Sequence, residues 1–138
     1  MIATLVTLLL LFCPLCAAET YSFETHIPPL AMDSARRAFN AWQFVGAETF
    51  REARRGDGLI KIYWRKVWKY ESELKAAYAI FTPPDTIEIN ADVYRWPRAD
   101  VALDWVFAHE IGHALGLGHS NKGVMQSPPV LVRLEDLK

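Results

Sequence analysis

Residues 109–119 read His-Glu-Ile-Gly-His-Ala-Leu-Gly-Leu-Gly-His. On a helix, His109 and His113 lie four residues apart and share one face. Two imidazoles so placed can hold one divalent cation, and the ligand type favours zinc. Glu110 follows the first ligand directly, so it can reach a metal-activated water without ligating the metal. A catalytic zinc takes three protein ligands and keeps a fourth position open. The third ligand must come from off the helix face. Gly116 permits a left-handed exit from the helix, and Leu117-Gly118 then bring His119 back toward the metal.

An H-E-x-x-H string alone also arises by chance on exposed helices. Here Gly116 and His119 meet two further offsets, and three of the four histidines fall in this stretch. A structural zinc would need a fourth side-chain ligand. Both cysteines, Cys13 and Cys16, lie within the first 18 residues, so none is available further on.

The elements that must position this motif follow from periodicity. Tyr21 to Ile27 alternates as a strand, and Pro28-Pro29 ends it and suits a helix entry. From Leu30 to Val45 the apolar positions Ala31, Ala35, Ala38, Phe39, Trp42 and Val45 recur at threes and fours, giving an amphipathic helix stopped at Gly46. Glu48 to Ala53 is a weak strand and 54–58 a turn. Leu59 to Trp64 is a strand. Arg65 to Lys75 is a charged connector. Ala77 to Phe81 and Thr86 to Asn90 are strands, and Asp92 to Arg98 a loop. Val101 to Leu115 is the second helix, with Asp100 as candidate N-cap. Pro128-Pro129 and a short helix, Leu131 to Lys138, finish the chain. Strand, helix, several strands and a second helix make an α+β domain: a mixed sheet of about five strands with a long helix, an active-site helix and a short C-terminal helix.

The chain has 138 residues and a net charge of −1, which favours one domain and argues against nucleic acid as partner. Residues 1–18 carry no charged side chain. Ile2 to Phe12 is an apolar run of signal-peptide length, short for a membrane span, and Cys16-Ala17-Ala18 offers small residues for cleavage before Glu19. The expected division is a signal peptide, 1–18, and a metallopeptidase domain, 19–138. The expected location is secreted or periplasmic, with an uncleaved N-terminal anchor as the alternative.

The long motif H-E-x-x-H-x-x-G-x-x-H resembles the signature of the metzincin clan of zinc endopeptidases. Met125 follows His119 by six residues, Ser120 follows the third histidine directly, and prolines follow the methionine. These features are similar to the matrixin family, as is the order of strand, long helix with Trp42, strands and ligand-bearing helix. The resemblance covers about residues 20–130. It implies a zincin fold and a zinc-dependent endopeptidase with His109, His113 and His119 as ligands. Glu110 would be the general base and Met125 a support packed beneath the histidines. It further implies that the strand with Tyr78, Ala79 and Ile80 borders the cleft and accepts peptide, and that Pro128 helps wall the specificity pocket.

Departures from the family are also visible. No cysteine follows Cys16, so a cysteine latch on the zinc is not expected. The connector Arg65–Lys75 lacks the His/Asp pattern of the family's structural zinc and calcium loop. Asp85, Glu88, Asn90 and Asp92 are oxygen-rich enough to raise calcium, against the plainer reading of a solvated loop. The methionine turn ends Met-Gln-Ser-Pro rather than Met-Tyr-Pro. The sequence thus implies a monomeric enzyme that binds one zinc, acts on peptide or protein and does not insert stably in a membrane. The rival functions are a zinc-containing binding module without turnover and a peptidase acting on cell-wall peptides.

Overall fold

The computed structural model describes residues 18–46, 48–68 and 79–126. Five strands and two long helices form one α+β unit. In chain order these are β1 (Glu19–Phe23), α1 (Pro29–Phe44), β2 (Phe50–Glu52), β3 (Ile60–Arg65), β4 (Ala79–Thr82), β5 (Thr86–Asn90) and α2 (Ala99–Ala114). A short 3-10 helix, Ala91–Arg95, joins β5 to α2. Among the described residues no helix is long and apolar enough to cross a membrane. The short C-terminal helix expected over Leu131–Lys138, and the signal segment 1–17, lie outside the described residues.

The sheet order is β2-β1-β3-β5-β4. All neighbours are parallel except β4, which runs antiparallel to β5 with Thr82 opposite Thr86. Parallel neighbours need a crossover, and α1 provides it between β1 and β2. The turn Pro83–Asp85 is too short for a crossover, so β4 folds back as a hairpin and becomes the sheet edge.

Alternation in β3 and β5 sends Ile60, Ile62, Trp64, Ile87 and Ile89 to one face, where they are buried. Helices α1 and α2 cover that face. Ala31, Ala35, Ala38 and Phe39 from α1 join Leu103, Val106, Phe107 and Ile111 from α2 in a single core. Tyr21 stacks on Phe39 with ring centroids 3.9 Å apart. The helices are also tied directly. The Trp42 indole N–H donates to the Ala108 carbonyl at 2.9 Å, and Arg37 pairs with Asp104 at 2.7 Å.

Several boundaries differ from the sequence reading. The first strand ends at Phe23, and the Glu24 side chain just beyond it accepts the Gly56 N–H at 3.0 Å. Ile27 is buried all the same. Val45, expected on the apolar face of α1, lies past the helix end and is exposed. Part of the expected loop 92–98 is the 3-10 helix, whose N-cap is Asn90 accepting the Asp92 N–H at 3.0 Å. Helix α2 begins two residues earlier than expected. Arg98, in a left-handed conformation at φ 57°, turns the chain into it, so Asp100 lies in the first turn and is not the cap. There the Val101 amide holds the Asp100 carboxyl below its usual value.

Candidate active site

The site is built on the C-terminal half of α2 and the loop that follows it. His109 and His113 stand on one face, as their spacing requires. Helix α2 then closes at Leu115. The Gly116 N–H bonds to the His113 carbonyl and the Leu117 N–H to the Gly112 carbonyl, both at 2.9 Å. This is a Schellman cap, and it needs a left-handed residue at Gly116, whose φ is 87°. The chain leaves the helix there and returns His119 to the other two histidines.

The three rings offer nitrogens that all lie within 4.8 Å of one another. The Nε2 of His113 is 3.1 Å from the Nε2 of both His109 and His119. His109 Nδ1 donates to the Val124 carbonyl at 2.7 Å, and His113 Nδ1 donates to the Leu117 carbonyl at 2.8 Å. A carbonyl only accepts, so His109 and His113 carry a proton on Nδ1, and in their neutral forms Nε2 carries the lone pair. Lone pairs at this separation repel unless a cation lies between them. Tetrahedral ligation at zinc–nitrogen distances near 2.05 Å places nitrogens about 3.3 Å apart. The cluster therefore fits a zinc ion, and the two carbonyls supply the outer support that metal-ligating imidazoles use. Burial first, then the neighbouring His113 and His119, hold His109 below the usual imidazole value, which keeps it neutral for ligation.

Loop 120–126 folds back on itself. The Ser120 N–H donates to the Met125 carbonyl at 2.8 Å, and the Gln126 N–H donates to the Gly123 carbonyl at 3.1 Å. This places Val124 against His109 and buries Met125 under the helix. The Met125 thioether lies against Gly112, where a Cβ would be 2.3 Å from the sulfur.

Glu110 is 7% exposed. Burial raises its carboxyl from 4.5 to about 7, and the hydrogen bond to the Phe81 backbone opposes that rise. Phe81 belongs to the edge strand β4, so the carboxylate is anchored on that strand.

Of the other residues singled out in the sequence, Ala79 and Ile80 are half-buried on β4. Tyr78 and Pro128 lie outside the described residues. The oxygen-bearing side chains proposed for calcium have other engagements: Glu88 pairs with Arg65, Asn90 caps the 3-10 helix, Asp85 accepts from Thr86, and Asp92 pairs with Arg95. Among the described residues the three histidines form the one cluster of metal-ligating side chains.

The sequence reading missed four supports: the carbonyls of Leu117 and Val124, the Gly112 contact and Trp105. The Trp105 indole stacks on His109 with centroids 5.1 Å apart and planes 26° apart. Its spacing, four residues before His109, was visible.

The family model for matrixins matches residues 18–128. No curated protein matches the chain. The match spans both helices, all five strands and the three histidines. With its fold and its convergent imidazoles, the chain belongs to the matrixin family of zinc metalloendopeptidases.

Proposed function

We propose that this matrixin cleaves extended peptide segments with Glu110 as general base and β4 as the docking strand. The observation that carries the reading is the placement of Glu110. Its carboxyl follows a ligand of the histidine cluster and is held by the backbone of the edge strand β4. Zinc, when bound, supplies the Lewis acid that makes water nucleophilic near neutral pH and carries negative charge in the transition state. Glu110 takes a proton from the attacking water and passes it to the leaving amine. On the outer side of β4 a peptide adds as a further strand, its backbone paired by the strand and its side chains in alternate pockets. Ala79 and Ile80 belong to that docking strand.

Export is the second part of the proposal. It is supported by the uncharged run Ile2–Phe12 and the small residues before Glu19. N-terminal sequencing of protein recovered outside the producing cell should begin at Glu19.

The test of the catalytic reading is cleavage of a mixed fluorogenic peptide library. The arms are wild type, wild type with a zinc chelator, and Glu110→Ala. Cleavage should require metal and should fall at least about a hundredfold in Glu110→Ala, which keeps its zinc. A zinc-loaded wild type that cleaves no peptide would support the binding-module reading. Cleavage of purified cell wall but not casein would support the cell-wall substrate.

A further inference from the structure

We infer that Trp105 is a positioning residue for the metal: its indole fixes the plane of His109 and strengthens zinc binding at that ring. Trp105 precedes His109 by four residues on α2, so the two side chains overlie one another on one helix face. The rings are 5.1 Å apart and 26° from parallel, an offset stack.

His109 is held at two places. The Val124 carbonyl, 2.7 Å from Nδ1, pins one edge of the ring. That hydrogen bond leaves the ring free to rock about its own axis. The indole face removes this freedom. His113 and His119 have ring contacts with the other histidines, at centroid distances of 4.7 to 5.3 Å, and His119 also stacks on His109, 29° from parallel.

The stack also acts differently on the two states of the ring. A neutral imidazole that donates its Nε2 lone pair to a cation becomes electron-poor. An electron-rich indole face attracts such a ring more strongly than the neutral one. A contact that is stronger in the metal-bound state raises affinity for the metal, whereas one of equal strength in both states would only stabilise the helix. Trp105 also touches the edge of the core, so ordinary packing is the rival role.

The inference rests on the three histidines as metal ligands and not on Glu110. Its test is a competition titration of zinc against a chromogenic chelator, with wild type, Trp105→Phe and Trp105→Leu. The visible absorption of the cobalt(II) form and the melting temperature of the metal-free protein are read on the same samples. Trp105→Phe keeps an aromatic face and should stay within about twofold of wild type. Trp105→Leu keeps apolar bulk without a face and should bind zinc about five- to tenfold more weakly, the range an aromatic pair spans. The cobalt(II) band should shift in Trp105→Leu and hold in Trp105→Phe. Equal zinc affinity in all three proteins would overturn the role of Trp105 alone. Equal losses in both variants, tracking a lower melting temperature, would make it a packing residue. A wild type that binds no zinc would overturn the inference and the ligand assignment together.

Discussion

Met125 rests its sulfur where the side chain of residue 112 would be, with a Cβ on Gly112 falling 2.3 Å from the thioether and 3.1 Å from Trp42 Cζ2. Gly112 is thus the point at which three elements meet: α2, the loop after His119, and α1 through Trp42. A glycine inside a helix ordinarily costs about 1 kcal/mol relative to alanine. Here the alternative is worse, because any side chain displaces the methionine and, with it, the loop that presents Val124 to His109.

Gly112→Ala should therefore destabilise the protein despite its better helix propensity. Overpacking costs about 1–3 kcal/mol, so a net loss of about 1 kcal/mol is expected in denaturant titration. In a Met125→Ala background the same substitution should cost less, since only the 3.1 Å approach to Trp42 remains. Met125→Leu, which fills the same space without sulfur, should keep most of the zinc affinity.

Gly116 governs the third ligand. At φ 87° an alanine costs about 1–2 kcal/mol, and the Schellman cap that returns His119 is weakened with it. Gly116→Ala should weaken zinc binding by about tenfold or more in a chelator competition, because one of three ligands must be repositioned on binding. Gly116→Asn should lose less, since asparagine tolerates the left-handed region.

These two glycines show where sequence sufficed and where it did not. Gly116 was legible because its offset from His113 and His119 is itself a backbone requirement. The three histidines were legible for the same reason: ligand spacing is written in residue types. The periodicity of α1 and the alternation of β3 and β5 gave the α+β fold, since each has one buried face. The second supports of the histidines were not legible. Val124 and Leu117 act through carbonyls, and every residue has one. Arg98 starts α2 from a left-handed conformation that nothing in its side chain announces. Trp105 was visible by spacing, but an aromatic four residues before a histidine is equally at home in a core.

The two ties between α1 and α2 should differ in worth. Arg37 and Asp104 make a close pair, yet their side chains are 51% and 43% exposed. Water screens such pairs, and Arg37→Ala should cost no more than about 0.5–1 kcal/mol. Trp42→Phe removes an indole donor from the Ala108 carbonyl, directly before His109, and also contact beside Gly112. It should cost about 1–3 kcal/mol in the same denaturant titration, from the lost hydrogen bond and the lost packing. An Arg37→Ala loss larger than that of Trp42→Phe would mean the helices are joined electrostatically.

Glu110 links catalysis to stability through pH. In the metal-free protein, burial lifts its carboxyl to about 7 from an ordinary value of 4.5. The folded state therefore binds the proton more tightly than the unfolded chain. Stability from this group is fully present below about pH 4.5 and is lost as pH rises through about 7, where the folded protein must hold a buried charge. The loss amounts to about 3 kcal/mol over that window, at roughly 1.4 kcal/mol for each pH unit of difference. Glu110→Gln carries no such charge. It should remove that contribution and leave the opposite trend of His109, whose lowered imidazole costs stability as pH falls; at about pH 8 the metal-free variant should melt above metal-free wild type. Zinc reverses the logic, since a cation beside the carboxylate favours its charged form. Loading either protein with zinc should raise its melting temperature, and more so at pH 8 than at pH 5, because the three imidazoles must shed their protons to ligate. Metal-free wild type and metal-free Glu110→Gln with the same pH profile from 5 to 8 would show that Glu110 is not held in the buried position described here.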